Sequence, residues 1–423
     1  MTTPPPHAGP ALDALNGLSV GDALGAQFFV PDTARAHLAA RTEPPGPWPW
    51  TDDTEMACSV YAAHTERGAI DTFDLTHAFA RRHDFDRGYG PAANRLLRLV
   101  REGGDAKRLA AEVFDGQGSY GNGAAMRVAP LGAAYAEDPA AVVRPAADTA
   151  VVTHTHPQAV DGAIAVAVAA AYAVRARTEA TTPHTFLAAV AALTPRGAVH
   201  DGLSEAIALL AEPDPLVAAK ALGNGSRTSA ADTVPYALWC AARRLTDYRA
   251  AVWEAIAPGG DMDTVAAITG GVVAACTGTV GIPSAWMAAR EPLPAWAFPE
   301  PGGITGGRGR ADMLVPRRHP VPDVEWTDEQ WQRIRAGRHT DTLDHRWAVH
   351  THDGSVRICC PKDGHPVWEV AVTRVRGGWR PVSAVAETSY NRWPVLPEDP
   401  HGAAVLTWIL KTAATGERWP ITP

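Results

Sequence analysis

Four short stretches of the chain place groups capable of chemistry where a turn opens into a helix. Thr51-Asp52-Asp53-Thr54 follows the Trp48-Pro49-Trp50 loop and precedes an apolar-periodic run containing Met56, Val60 and Ala63. Taken alone it reads as a helix N-cap, for which Thr and Asp are favoured. Far later in the chain, Gly259-Gly260-Asp261-Met262-Asp263-Thr264 repeats the arrangement, a turn entering an apolar helix with two Asp and a Thr in its first turn. Two Asp separated by one residue on a loop can direct both carboxylates to one point, and the Thr hydroxyls add further hard oxygens. An all-oxygen donor set suits Mg²⁺, Mn²⁺ or Ca²⁺ rather than zinc. Four carboxylates converging in an apolar helical domain repel strongly unless cations neutralise them. If the two loops meet in space, a two-metal site is the natural explanation.

The third stretch, Gly118-Ser119-Tyr120-Gly121-Asn122-Gly123-Ala124-Ala125-Met126-Arg127, alternates glycine with Ser, Tyr and Asn before a helix. Such a backbone approaches a ligand closely and offers N–H groups at a helix start, a site for phosphate or pyrophosphate. A plain glycine-rich turn accounts for the same residues. The loop lacks the Gly-Lys-Ser/Thr of a Walker loop and does not follow a strand as a dinucleotide fingerprint must. In the fourth, Thr153-His154-Thr155-His156-Pro157, the proline suits the first position of the following helical run. Thr155 is the expected cap, with one histidine hydrogen-bonded to ligand or backbone, and no Cys or third His stands at zinc-like spacing.

The elements that must position these groups are helices. From residue 11 to about 290, segments such as Gln158–Arg175, Leu187–Leu193 and Leu203–Leu210 are rich in alanine and other aliphatic residues without strand-like alternation. Prolines and glycines punctuate them at Pro44-Pro45-Gly46-Pro47 and Pro258-Gly259-Gly260. With no alternation of strand and helix, a doubly wound sheet is excluded and an all-α domain is expected. The uncharged run Thr264–Ala289 is rich in Ala, Gly and Thr and interrupted at Pro283, so a buried helix is expected there rather than a membrane span.

The 423 residues suggest two domains. Their 38 basic against 46 acidic residues disfavour a phosphate-tracking surface, so no nucleic acid is expected. The five cysteines form no CxxC and are odd in number, and the start lacks the apolar core of a signal peptide. A reducing, cytoplasmic setting without membrane attachment is the expectation.

Between Ala289 and Asp323 lie seven prolines and five glycines, read as a linker over 291–323. Beyond it, over 324–423, tryptophan becomes dense, with eight of the chain's 14. Thr327–Arg335 reads as a short helix. Arg346–Cys360 and Val367–Val375 read as hairpin strands, with turn signals at Asp353-Gly354, Asp363-Gly364 and Gly377-Gly378. The tail is therefore expected to be a small α+β module whose tryptophans fill its own core. Asp341, Asp344, His345, His350 and His352 read as solvated turn or strand residues.

The motifs together resemble the ADP-ribosylglycohydrolase family. The resemblance begins at Gly17-Leu18-Ser19-Val20-Gly21-Asp22-Ala23-Leu24-Gly25 and runs through Trp50–Met56, Arg87-Gly88-Tyr89-Gly90, Gly118–Arg127 and Thr153-His154. Val234-Pro235, Gly259–Thr264 and Gly281-Ile282-Pro283 complete it, over residues 11–290. It implies an all-α orthogonal helical bundle holding two Mg²⁺ ions, with Mn²⁺ an alternative. By match, Thr51, Asp52, Asp53, Asp261, Asp263 and Thr264 are the metal ligands, with Asp52, Asp53 and Asp263 serving catalysis. Gly118, Ser119, Tyr120, Gly121 and Asn122 match the loop cradling the diphosphate and distal ribose of ADP-ribose. Phe114 falls where relatives place an aromatic near the adenosine, and His154 matches a histidine lining the pocket. The implied reaction releases ADP-ribose from a protein side chain or related conjugate, the partner being ADP-ribose or an ADP-ribosylated protein.

One departure stands out. Many relatives carry a glutamate four residues beyond the last glycine of Gly-Asp-Ala-Leu-Gly, and here that position is Phe29. Three outcomes follow: activated water suffices, Asp32 or Glu55 substitutes, or the domain binds ADP-ribose with impaired hydrolysis. As a residue of the first helical turn, Glu55 also has an ordinary role beside the helix dipole.

Overall fold

The computed structural model describes residues 9–29, 31–298, 313, 316–335, 348–352, 355–359, 366–388 and 400–415, without the side chains of 31–35, 348, 350, 352, 400 and 401. The chain divides into two compact units, one of residues up to 98 with 106–299, the other of 99–105 with 300–423.

Among its described residues, the first unit is helical and has no strand beyond isolated bridges. Its centre is the pair of helices Pro10–Ala26 and Met262–Thr277, whose sequences explain their closeness. Gly17, Gly21 and Gly25 recur every four residues and so share one face of the first helix. A Cβ at Gly21 would overlap the Ala266 carbonyl, and one at Gly25 would lie 2.7 Å from Asp263 Cα. The two backbones therefore touch directly, which sets Asp22 beside the start of the later helix. Around this pair pack Asp52–Arg67, Pro157–Arg175, Ala230–Arg243 and Tyr248–Ile256. Pro157–Arg175 has the length and composition to cross a membrane, and 72% of its apolar window is buried within the unit. The run from Thr264 is a buried helix to Thr277, then a 3₁₀ turn and the short helix Ser284–Ala289.

The second unit contains a five-stranded antiparallel sheet, β1 (Pro316–His319), β2 (Ala348–His352), β3 (Ser355–Cys359), β4 (Pro366–Val375) and β5 (Gly378–Glu387), in the order β1-β5-β4-β3-β2. Helices Asp328–Arg335 and Pro400–Thr415 accompany it. Trp326, Trp331 and Trp368 are buried, and Trp331 stacks between Trp326 and Trp379 at 6.0 and 5.0 Å. These tryptophans fill a core.

Of the stretch read as a linker, residues 291–298 pack with the first unit: Glu291 N–H donates to the Trp48 carbonyl, and Phe298 meets Tyr61 edge-on at 6.1 Å. Residues 316–319 form edge strand β1. The turn pairs 353–354 and 363–364, the residues Asp341, Asp344 and His345, and the side chains of His350, His352 and Asp32 lie outside the described residues.

Candidate functional site

Three carboxylates meet at the centre of the first unit. One oxygen each from Asp22, Asp53 and Asp263 lies within 4.8 Å of the other two. Asp53 comes from the first turn of Asp52–Arg67, where Thr51 is the N-cap and its hydroxyl accepts from Asp53 N–H. Asp263 comes from the first turn of Met262–Thr277, and its Oδ1 accepts from Thr264 N–H at 2.8 Å. The two acidic turns, widely separated in sequence, are thus adjacent in space.

Asp22 is fully buried and bound to the first of these turns. Its carboxylate accepts from Thr51 N–H (3.0 Å), Thr51 Oγ1 (2.8 Å), Thr54 N–H (3.1 Å) and Thr54 Oγ1 (2.5 Å). Those N–H groups are among the orphan donors at the start of an α-helix, so Asp22 caps the Asp52–Arg67 helix from another element. The motif reading did not assign Asp22 a role. Its signal is an acid on the glycine-spaced, buried stretch Gly17–Gly25 of its helix, whose other acid, Asp13, stands in the first turn.

The electrostatics are those of an anion-rich, water-poor centre. Burial, then the Asp22 charge, raises the Asp52 carboxyl to about 8. Burial followed by Asp22 and Asp263 lifts Asp53 well above the carboxylate range, and burial with Asp261 does the same for Asp263. Asp53 Oδ1 is buried without a hydrogen-bond partner. Converging hard oxygens, one of them orphaned, are what a divalent cation requires and what an apo protein tolerates poorly. Asp22, Asp53 and Asp263 each offer one oxygen to such an ion, while Thr51, Asp52, Asp261 and Thr264 stand in the same two helix starts.

The glycine loop is joined to this centre. Asn122 Nδ2 donates to Asp261 Oδ2 at 2.6 Å and to Thr233 Oγ1 at 3.0 Å. Gly121 pairs with Ser229, and Ser119 Oγ accepts from Gly121 N–H. Gly118 has φ +76°, and a Cβ there would overlap Thr155 Oγ1 and approach His156 N to 2.9 Å. Gly118→Ala should therefore lower unfolding stability by about 1–3 kcal/mol and displace the loop. Urea denaturation checks this, and an unchanged midpoint would refute the close packing.

His154 lies beneath Gly123, with ring atoms 2.8 and 3.0 Å from where a Cβ would stand. Its Nδ1 shares a 2.7 Å hydrogen bond with Thr153 Oγ1, which also accepts from Arg127 at 2.9 Å. Burial, reinforced by Arg127, drives its pKa down to about 3, so the ring is neutral. Phe114 and Tyr120 are exposed and stack with ring centres 5.4 Å apart. Phe114 and Asp115 both hold positive φ, +53° and +56°. Two consecutive non-glycine residues in this region store strain of about 1–3 kcal/mol each, as functional loops do. The helix after the His motif is capped by His156, whose Nδ1 accepts from Gln158 N–H, and not by Thr155, which donates instead to the Ala110 carbonyl.

The sequence model of the ADP-ribosylglycohydrolase family matches residues 4–302. The chain belongs to this family. It is 31% identical over 277 residues to ADP-ribosylhydrolase ARH3 of Xenopus tropicalis, covering 57% of this chain and 77% of that protein. Against ARH3 of Bos taurus it is 29% identical over 326 residues, covering 66% and 87%. The ADP-ribosyl-[dinitrogen reductase] glycohydrolase of Rhodospirillum rubrum is 32% identical over 169 residues, covering 37% and 55%. A solved ADP-ribosylglycohydrolase-related protein complex superimposes with a TM-score of 0.50 at 27% identity, covering 67% of this chain and 92% of that one. The protein is thus a glycohydrolase.

Phe29, where the resemblance implies a glutamate, is 49% exposed at the end of the Gln27–Phe29 turn. Glu55 is occupied elsewhere. It is buried, and its Oε2 accepts from Tyr89 OH at 2.6 Å and Asp84 N–H at 3.2 Å. Glu55 thereby ties the 84–89 loop, whose Gly88 lies 3.8 Å from Asp52 Oδ1 when a Cβ is built. Arg87 clamps the same loop, stacked 3.5 Å over Trp50 and paired with Glu291. Tyr89→Phe removes a donor from a buried carboxylate, with an expected loss of about 1–3 kcal/mol in urea unfolding; an unchanged midpoint would show that Glu55 does not depend on Tyr89.

Proposed function

We propose that this glycohydrolase releases ADP-ribose from a protein side chain or related conjugate, with two divalent ions, Mg²⁺ or alternatively Mn²⁺, at the acidic centre. The observation that carries the reading is the convergence of Asp53 and Asp263 beside a glycine loop anchored to Asp261 through Asn122. The relatives named as ADP-ribosylhydrolases support the substrate class.

Thr51, Asp52 and Asp53 on one turn and Asp261, Asp263 and Thr264 on the other would hold the ions. Bound there, divalent cations supply electrostatic stabilisation and water activation near neutral pH. The chain's own residues do the rest. The Gly118–Gly123 backbone receives the diphosphate, with neutral His154 packed beneath it so that no imidazolium is left uncompensated. Phe114 and Tyr120 offer a stacking shelf for the adenine. Helix starts aim both acidic turns at one point, so no ordering is needed when the glycosidic carbon gains positive charge.

The test is release of free ADP-ribose from an ADP-ribosylated protein, with Mg²⁺ and with a chelator. Release that stops on chelation and returns with Mg²⁺ is expected. Tight ADP-ribose binding without release under any metal would replace this reading with that of a binding protein.

A further inference from the structure

His156 is unused by the function above, yet its ring touches Tyr120 of the glycine loop. Its Nδ1 is committed to the Gln158 N–H, which fixes the ring orientation and, in the neutral form, leaves the proton on Nε2. The ring meets Tyr120 edge-to-face, with centres 5.8 Å apart at 77°. Tyr120 in turn stacks on Phe114 at 28°. Gly118, which begins the glycine loop, lies against the Thr155–His156 backbone. Tyr120 is 40% exposed, and its ring meets those of Phe114 and His156.

We propose that His156 is a positioning residue: capping the Pro157–Arg175 helix fixes its imidazole, and the imidazole holds Tyr120 as a base-stacking shelf beside the glycine loop. The proposal rests on the ADP-ribose reading and adds a residue that governs affinity for the base end of the ligand. An edge-to-face aromatic pair contributes roughly 0.5–1.5 kcal/mol, which corresponds to about two- to tenfold in affinity.

His156→Asn separates the two duties, because Asn is a good N-cap residue but presents no ring. Binding of ADP-ribose and of ribose 5-phosphate, which has no base, would be compared by calorimetry for wild type, His156→Asn, Tyr120→Leu and the double variant. The expected result is a two- to tenfold loss for ADP-ribose in His156→Asn and none for ribose 5-phosphate. KM for the ADP-ribosylated protein should rise with a smaller change in kcat. Tyr120→Leu should make the histidine change silent, as coupled residues do. Unchanged ADP-ribose affinity in His156→Asn, an equal loss for both ligands, or additive losses in the double variant would overturn the proposal. Wild-type protein that fails to bind ADP-ribose would overturn the underlying reading instead. Should His156→Asn not fold, the same comparison with His156→Gln and Tyr120→Leu decides.

Discussion

Replacing Asp53 or Asp263 by asparagine should lower ADP-ribose release by about 10²–10³-fold or more and, in a chelator, raise the thermal stability of the protein. Both effects come from one geometry. Asp22, Asp53 and Asp263 converge within 4.8 Å, and Asp53 Oδ1 has no donor. With no cation the three charges repel, and an amide at position 53 removes one while offering N–H groups to the others. The pH dependence has the same origin. An aspartate titrates near 3.9 in the unfolded chain, whereas burial and neighbouring carboxylates raise Asp52 to about 8 and Asp53 and Asp263 well upward. Between these values the folded state binds more protons than the unfolded one, so stability in chelator falls as pH rises. His154 and His64, whose values burial lowers, act in the opposite sense, but only below the ordinary histidine value of about 6.5. The clean window is therefore about pH 6.5–8. There the melting temperature in chelator should drop with pH, Asp53→Asn should flatten the drop, and Mg²⁺ should abolish it, because ligands must be deprotonated to bind metal. A melting temperature independent of pH in chelator would sink this account.

The acidic turns and the glycine loop were legible in the sequence because each is a local signal. Adjacent Asp and Thr open apolar helices at 51–53 and 261–264, and Gly118–Gly123 is too glycine-rich to be anything but a turn. Asp22 was less legible as a functional residue, since its partners Thr51 and Thr54 stand 29 and 32 positions away and nothing in its own helix announces them. The cap at 156 was misplaced because Thr155 and His156 both carry an acceptor one or two residues before the helix, and only tertiary contact draws Thr155 to Ala110. Strand β1 was hidden among prolines. An edge strand tolerates Pro316 at its first position because no ladder donor is required there. The helical character of the first unit followed from composition, whereas the helix Pro400–Thr415 went unassigned although Asp399-Pro400 before it and Gly416 after it are ordinary start and stop signals.

Asp22→Asn should behave oppositely to Asp53→Asn in chelator, and the contrast identifies what Asp22 does. If repulsion from Asp53 and Asp263 outweighed the hydrogen bonds of Asp22, neutralising it would stabilise the metal-free protein. Its surroundings argue otherwise: two backbone N–H groups and two hydroxyls donate to its carboxylate, at 2.5–3.1 Å. Burial raises its pKa, and those four donors offset only part of the rise. Asparagine offers one acceptor oxygen in place of two and turns an NH₂ toward donors, leaving N–H groups at a helix start buried and unmatched. Leaving a buried donor without its acceptor costs about 1–3 kcal/mol each, and Asp22→Ala is destabilising for the same reason. Activity should fall with stability and should not return at high Mg²⁺, because the turn that presents Asp52 and Asp53 loses its anchor. Should Asp22→Asn instead raise the chelator melting temperature and regain activity at high Mg²⁺, Asp22 is a ligand and the anchoring role fails. The expected loss in both states makes it the residue that converts a glycine-spaced helix contact into the position of the acidic turn Thr51–Thr54.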